Sequence, residues 1–293
     1  MQRIIKIANG VTRMPGWRMA EPVNFELCDG EHIAIIGANG GGKTMFIDIV
    51  TGRHPIIGNG IEYDFLPSLK PLVSDNIKYI AFKDSYGTHD GTYYLQQRWN
   101  QHDISEDTPT AGELLEEAFI STGNDTPERR TLQNHLYSLF HIGHVLDKYI
   151  ISLSSGELRK FQLIKALFAA PRVLIMDNPF IGLDVETRNQ LRDLLTIIAR
   201  EKALQIIIVL SRADDIPPFI THVVEVKDMR VGQKQTVSTY LAKHKETYGN
   251  AFSDGKRAIL ATLTCNNTAD WHGEVIAMDG ITIRYGARTI LDR

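Results

Sequence analysis

Hydrophobic residues along the chain form four short continuous runs rather than alternating stretches. The runs are Ile33 to Ile36, Ile77 to Phe82, Val173 to Met176 and Ile206 to Leu210. Such runs are typical of strands that are covered on both faces, as in a parallel sheet. Between them, apolar residues recur at the three- and four-residue steps of amphipathic helices. Alternating strands and helices predict an α/β fold with a mainly parallel sheet.

Two segments depart from this alternation. The first thirty residues contain short β-like runs broken by glycine and proline, which predicts a small antiparallel sheet at the front. Residues 106–168 contain helix starts with no strand between them, among them the capping box of Thr110 and Glu113. We therefore expect a helical subdomain over residues 106–168.

A short internal repeat indicates a second domain. Residues 9–12 (NGVT) resemble residues 279–282 (DGIT), and each copy follows an apolar stretch. Polar residues are scattered through the segment between them. The predicted organisation is one domain over residues 1–230, a linker over 231–273, and the first strands of a truncated second domain over 274–293.

Composition excludes several classes of protein. A hydrophobic content of 43% excludes a mostly disordered chain, and 32 Lys+Arg against 35 Asp+Glu leave a net charge of −3, so no nucleic-acid partner is evident. No apolar run approaches the roughly 18 to 20 residues of a membrane helix. Cys28 and Cys265 lie far apart and form no disulfide or metal pattern. With no secretory signal visible, the predicted location is the cytoplasm.

The strongest chemical motif is a glycine-rich loop. Residues 37–44 (GANGGGKT) fit GxxxxGK[ST], directly after one apolar run and before a helical pattern. Such a loop turns backbone N–H groups around phosphate oxygens at a helix N-terminus, while Lys43 reaches the β and γ phosphates and Thr44 binds Mg²⁺. Asp177, at the end of the third run, is a second candidate for the Mg²⁺ site.

The order of four motifs resembles that of ATP-binding cassette (ABC) ATPases over roughly residues 1 to 230. The motifs are GANGGGKT, then LSSGE at 153–157, VLIMDNP at 173–179 and GLD at 182–184. The resemblance implies a P-loop NTPase fold of ABC type that binds ATP and Mg²⁺. It implies that LSSGE, the signature, covers the γ-phosphate held by a partner domain in a head-to-tail pair, and that the GLD loop touches that partner.

The resemblance also assigns individual residues. An aromatic on the front sheet is expected to stack on adenine; Trp17 is the candidate, with a buried core aromatic as the alternative. The expected nucleotide-binding residues are Gly37, Asn39, Gly40, Gly41, Gly42, Lys43, Thr44, Trp17 and Asp177, with Thr44 and Asp177 as metal ligands. The signature residues are Ser154, Ser155, Gly156 and Glu157.

Three positions depart from the family pattern. Asn178 stands at the place of the glutamate general base, and Ser211 at that of a histidine that contacts the γ-phosphate. A glutamine is expected after the second run, where the candidates are Lys83, Asp84, Gln96 and Gln97. An amide cannot accept a proton, and general-base catalysis is worth about 10² to 10⁴ in rate. The site is therefore predicted to be degenerate, with no intact catalytic group and weak or no ATPase activity in the isolated chain.

These features predict the ATP-binding component of a transport system. Among tandem members of the family, the chain resembles molybdenum-transport-associated and photorepair ATP-binding proteins. The expected partners are a second ABC domain, either in cis beyond Arg293 or as a homodimer, and membrane transport subunits at the inner face of the membrane. The alternatives are a nucleotide-gated regulatory protein of repair or translation that transports nothing, and a plain ATP-binding scaffold.

Overall fold

A sheet of seven strands forms the centre of the protein. The computed structural model describes residues 2–58, 60–81, 108–201 and 204–249, together with the backbone of residues 282–285 and 288–292. Five strands run parallel in the order β8-β3-β7-β6-β5, and two short strands pair antiparallel with β8. The strands are β3 (Ile33–Ile36), β5 (Ile77–Ala81), β6 (Val173–Asp177), β7 (Gln205–Leu210), β8 (His222–Lys227), β9 (Arg230–Val231) and β10 (Gln235–Thr236). The four apolar runs coincide with the parallel strands β3, β5, β6 and β7, with Phe82 of the second run outside the described residues. This confirms the predicted α/β fold.

A second, smaller sheet lies at the front, as the first thirty residues predict. It is antiparallel, in the order β2-β1-β4, and is formed by β1 (Arg3–Gly10), β2 (Val23–Cys28) and β4 (Ile61–Tyr63). The third strand comes from a later part of the chain, after helix α1 (Lys43–Val50). The front sheet and α1 pack into the same hydrophobic cluster.

Three helices form the helical segment predicted from the sequence: α3 (Ala111–Ser121), α4 (Pro127–Phe140) and α5 (Ser155–Phe168). Thr110 caps α3 through the predicted capping box with Glu113, and Thr126 caps α4. Phe119 packs edge-on against Phe168 with ring centroids 5.4 Å apart. Helix α2 (Val73–Asn76) precedes β5, and α6 (Val185–Glu201) connects β6 to β7.

The strands separate two hydrophobic clusters. Ile33 and Ile35 face the cluster of the front sheet and α1, whereas Ala34 and Ile36 face the cluster of the helical segment and α6. The same two-residue alternation runs through β6 and β7, because successive side chains of a strand point to opposite faces. Both faces of the sheet are therefore buried, which accounts for the continuous apolar runs.

The chain divides into two compact units, Met1–Leu241 and Ala242–Arg293. The first unit extends past residue 230 because β10 pairs with β8 and is followed by helix α7 (Val237–Gly249). In the second unit, β11 (Thr282–Tyr285) and β12 (Arg288–Asp292) form an antiparallel hairpin. No helix in the described part of the chain has the length and apolar character needed to cross a bilayer.

Candidate functional site

The glycine-rich loop joins the end of β3 to the start of α1. Geometry requires glycine at three places in the loop: a Cβ on Gly37 would lie 2.0 Å from the carbonyl oxygen of Val226, and Gly42 has φ of 104°. Gly40 also has a positive φ, 79°, a region that side chains disfavour. On the outer side of the loop, the carbonyl of Gly41 accepts a hydrogen bond from the N–H of Met229 at 3.0 Å.

Lys43 is the first residue of α1 and lies across the loop. Its Nζ donates to the carbonyl oxygens of Gly37 at 2.7 Å and Ala38 at 3.0 Å. The residue is only 7% exposed, and among the described residues no carboxylate lies within ion-pair distance of Nζ. Burial lowers the pKa of Lys43, and the negative charge of Asp177 acts in the opposite direction. A buried ammonium that has only carbonyl partners suits a polyphosphate anion, so the loop fits the group that the motif implies.

Asp177 ends β6, and both of its carboxylate oxygens accept hydrogen bonds. Tyr79 donates its hydroxyl to Oδ2 at 3.0 Å, and Asn178 donates Nδ2 to Oδ1 at 2.8 Å. Burial, followed by the charge of Asp177, raises the pKa of Tyr79, so its hydroxyl stays protonated. Thr44, the other predicted metal ligand, has an exposed side chain at the start of α1. Sequence reasoning missed Tyr79, because its role depends on the pairing of β5 with β6.

The two atypical residues of the site lie together with the loop. Ser211, which follows β7, has its hydroxyl 3.0 Å from Asn39 Oδ1 and 3.3 Å from Asn178 Oδ1. Because the hydroxyl has a single proton, it donates a hydrogen bond to one of these oxygens at a time. Asn178 itself has a left-handed backbone with φ of 52° and donates its N–H to Val209 at 2.9 Å. Predicted site residues from three separate segments are therefore brought into one hydrogen-bonded group.

The LSSGE segment starts helix α5. Ser154 caps the helix by accepting from the N–H of Glu157 at 3.2 Å, and Glu157 accepts from the N–H of Ser154 at 2.9 Å. Burial opposes the ionisation of Glu157, but hydrogen bonds from Lys148 and Ser154 outweigh it and lower its pKa. Ser155 and Gly156 form the first turn of the helix, where both are half-buried.

The GLD loop lies beside this helix start. Gly156 packs so closely against Thr187 that an added Cβ would lie 2.7 Å from Cγ2 of that residue. Asp184 accepts from the N–H of Thr187 at 3.0 Å and from its hydroxyl at 2.7 Å, which lowers the pKa of Asp184. Residues 154–157 of the signature and 182–184 of the GLD loop line a common cleft of about 400 Å³. Motifs some thirty residues apart thus form one surface.

The side chain of Trp17 is 39% exposed. Its ring stacks on His54, with centroids 4.2 Å apart and planes inclined by 13°. The N–H of His54 bonds the carbonyl of Asp48 near the C-terminal end of α1, whereas the loop precedes the N-terminal end. Met19 and Met229 instead contact the loop at Gly42; no sequence motif indicated either residue. The four candidates for the glutamine position, residues 83, 84, 96 and 97, lie outside the described residues.

A substitution of Gly37 tests the loop geometry. Gly37→Ala is expected to lower the free energy of unfolding by about 1–3 kcal/mol, since the new Cβ would overlap the carbonyl of Val226. The loop would have to move, so nucleotide affinity is expected to fall as well. Urea denaturation and calorimetry measure the two effects. Gly16→Ala, where an added Cβ meets nothing within 4 Å, is the control and should change neither; equal behaviour of the two variants would contradict the geometry.

The glycine-rich loop joins the buried parallel strand β3 to helix α1, and its lysine is buried. Asp177 ends β6, which is two strands away from β3 in the sheet. These features define a P-loop nucleotide-binding protein. The ABC transporter family profile matches residues 20–181, and the chain belongs to that family. ABC ATPase domains bind ATP and work with partner ABC domains or membrane subunits. The predicted family is therefore confirmed.

Two relatives illustrate the similarity. An uncharacterised ABC transporter ATP-binding protein of Schizosaccharomyces pombe is 28% identical over 302 residues, covering 99% of this chain and 61% of the relative. The ABC transporter ATP-binding protein ModF of Escherichia coli is 28% identical over 223 residues, covering 74% of this chain and 41% of ModF. The chain thus spans roughly half the length of these curated relatives.

Solved structures show the same fold. The cbiO1 protein of Clostridium perfringens, part of the ABC transporter complex cbiONQ, matches with a TM-score of 0.66 and 21% identity over 89% of this chain and 100% of cbiO1. An ATP-binding cassette of an ABC transporter in its ADP conformation matches with a TM-score of 0.63 and 16% identity over 89% of this chain and 99% of that one. At these identities the likeness concerns the fold.

Proposed function

We propose that this chain is the ATP-binding component of an ABC-type transport system whose own site binds Mg-ATP and hydrolyses it slowly. The observation that carries the proposal is the pairing of a complete phosphate loop with an amide at the base position. Lys43 is buried, and its hydrogen-bond partners in the described part of the chain are two carbonyl oxygens. Asn178 directly follows Asp177 and is hydrogen-bonded to it. The chain therefore has the groups that bind phosphate, whereas an amide stands at the position where the family has a proton-accepting glutamate.

The magnesium site would be formed by Thr44 and Asp177. Among the described residues no group of three or more His, Cys, Asp or Glu could hold a metal ion by itself. Mg²⁺ commonly binds through one or two protein oxygens together with phosphate oxygens and water, and this donor set fits that pattern. When bound, the ion supplies charge to the phosphates, while Tyr79 and Asn178 orient the Asp177 carboxylate through their hydrogen bonds.

Two features support slow hydrolysis. The Asn178 amide can hold a water molecule but cannot take its proton. The Ser211 hydroxyl lies between Asn39 and Asn178, and at neutral pH it neither carries the charge of a histidinium nor accepts a proton as an imidazole does. The site would therefore act as a clamp that closes on ATP and reopens rarely.

The signature would serve a different nucleotide from the one bound by the loop. Within the described ranges, no hydrogen bond or ion pair joins residues 154–157 to residues 37–44. In a head-to-tail pair, Ser155 and Gly156 would cover the γ-phosphate on the partner's loop. The partner would be a second ABC domain, in cis beyond Arg293 or in a second copy. The hairpin over Thr282–Asp292 and the greater length of the relatives support the tandem form.

The transport role rests on family membership and on the relatives. Membrane transport subunits at the inner face of the membrane would be the further partners, with the chain bound to them from the cytoplasm. Co-purification distinguishes this role from regulation: membrane subunits support transport, whereas ribosomes or DNA would support the nucleotide-gated regulatory alternative.

Isothermal titration with ATP tests the proposal directly. In the presence of Mg²⁺ the chain is expected to bind ATP with stoichiometry near one, and the heat of binding should decrease when EDTA is added. Release of phosphate by the isolated chain is expected to stay near the uncatalysed rate. Absence of magnesium-dependent binding would contradict the assignment of the loop, and brisk hydrolysis would contradict the degenerate site.

A further inference from the structure

Two arginines on one side of helix α6 share a single carboxylate. Arg188 and Arg192 are four residues apart in the helix, so their side chains are neighbours on its surface. Oδ1 of Asp215, on an adjacent turn, lies 3.7 Å from Nη1 of Arg188 and 3.5 Å from Nη2 of Arg192. Both distances are longer than the 2.7–2.9 Å, approximately, of a charge-assisted hydrogen bond. Two positive charges therefore face one negative charge, and neither is closely paired with it.

The two guanidinium groups also contain buried donors without a partner. The Nε atoms of Arg188 and Arg192 are buried, and neither has a hydrogen-bond partner in the part of the chain that the structure describes. Arg188 donates Nη2 to the carbonyl of Leu183 at 3.4 Å, and the guanidinium of Arg192 lies 5.3 Å from the ring centroid of Phe180. A buried donor is unfavourable unless a water molecule or a ligand accepts its hydrogen bond.

Both arginines line a cleft of about 520 Å³. Three segments form its walls: residues 178–182 after β6, helix α6, and residues 210–215 after β7. Arg212 and Asp214 also line the cleft and pair with each other at 3.4 Å. Three arginines and two aspartates thus give the lining one net positive charge. A concave, positively charged site with unpaired donors suits an anion.

The cleft is separate from the groups that are expected to hold ATP. Of the residues that line it, none belongs to the phosphate loop over residues 37–44. Asn178 borders the cleft and also reaches the loop indirectly, because the Ser211 hydroxyl lies 3.3 Å from Asn178 Oδ1 and 3.0 Å from Asn39 Oδ1. An anion in the cleft would therefore lie beside the base position without replacing any phosphate of ATP.

We propose that Arg188 and Arg192 form a second oxyanion site, which binds inorganic phosphate in this cleft. A guanidinium presents N–H groups in a planar fork that matches the oxygens of a phosphate. Inorganic phosphate has more than one negative charge near neutral pH, whereas Asp215 offers a single charge to the two arginines, so phosphate attracts them more strongly. Bound phosphate accepts hydrogen bonds from the donors that lack partners. The site does not depend on the proposed function, because its residues lie outside the phosphate loop.

Phosphate binding to a chain whose loop is already filled tests this inference. With the loop saturated by Mg²⁺ and a non-hydrolysable ATP analogue, equilibrium dialysis against radiolabelled phosphate is expected to give a stoichiometry near one. Arg192→Met should weaken this binding about tenfold or more, because charge-assisted contacts are lost. Asp215→Asn should instead strengthen it about three- to fivefold, because the competing carboxylate is removed. Both variants break the same ion pair, so a merely structural role of the pair would not change phosphate affinity in opposite directions.

Arg200→Met is the matched control, since Arg200 is exposed on the same helix and the variant loses the same charge. It should bind phosphate like the wild type. Arg192→Lys, which keeps the charge without the planar fork, should weaken binding less than Arg192→Met does. Thermal melting verifies that each variant is folded.

Two results would overturn the inference: a loaded chain that binds no phosphate, or equal binding by Arg192→Met and Arg200→Met, which would indicate an adventitious ion only. A wild-type chain that does not bind the ATP analogue would instead overturn the proposed function. The cleft is then tested without nucleotide in Lys43→Ala, where the lysine of the phosphate loop is absent. The same effects of the Arg192 and Asp215 substitutions are expected in that background, and their absence would overturn the inference as well.

Discussion

Lys43→Ala is expected to lower the affinity for Mg-ATP by about 100-fold or more while leaving the chain folded. The Lys43 ammonium is buried and its partners are two carbonyl oxygens of the loop. Each charge-assisted hydrogen bond to a phosphate contributes about 1.5–3 kcal/mol, and the lysine supplies two or more of them. Removing a buried charge also removes its desolvation cost, so stability should stay the same or increase slightly.

Calorimetric titration and thermal melting measure these two effects on the same samples. Lys78→Ala is the matched control, since Lys78 lies on β5 and its Nζ donates to the carbonyl of Ser74 at 2.7 Å. That variant should bind ATP like the wild type. An unchanged affinity in Lys43→Ala would mean that residues 37–44 do not hold the phosphates, and the proposed function would lose its main support.

Asn178→Glu is expected to raise ATP turnover by about 10² to 10⁴, the usual range for a general base. The gain should appear in the tandem or dimeric form, because in the proposed head-to-tail pair a partner signature would complete the site. The new carboxylate would take the place of an amide that now lies 2.8 Å from Asp177 Oδ1. The negative charge of Asp177 raises the pKa of the new carboxyl. A carboxylate with a pKa closer to neutral is a stronger base. Turnover of the variant should therefore increase as the pH rises through this raised pKa.

Asn178→Gln provides the control for that experiment. Glutamine has the length of glutamate and retains an amide, so it should give no gain in turnover. A pH–rate profile of both variants, with ATP affinity measured separately, distinguishes a new base from altered binding. Equal rates in the two variants would mean that the proton acceptor is not the missing group, and that Ser211 limits the reaction instead.

Local sequence signals predict most of the fold. The continuous apolar runs become strands because each is buried on both faces, and the cap residues Thr110 and Ser154 start their helices because their side chains satisfy free N–H groups. The phosphate loop is equally local, since strand, glycines and helix are adjacent in the chain. Such features depend on neighbouring residues alone, and a sequence displays them directly.

The remaining features depend on pairings between distant segments. Tyr79 reaches Asp177 because β5 lies beside β6, and Met229 reaches Gly42 because β8 lies beside β3. Trp17 stands at about the spacing expected for a base-stacking residue, yet its ring lies on His54. Strand β10 lies inside the segment that the sequence predicts to be a linker, because two residues are too few to show a strand pattern. Spacing along the chain does not determine which side chains meet across a sheet.

The two-residue alternation of β7 restricts how the length of the protein can vary. Ile206, Ile208 and Leu210 face one cluster, and Ile207 and Val209 face the other. Deleting one residue inside β7 would exchange these two sets and carry Ser211 out of reach of Asn39. Insertions and deletions among homologues should therefore accumulate in the loops between elements, and the strands that lead to the nucleotide should keep their residue count even where their side chains change.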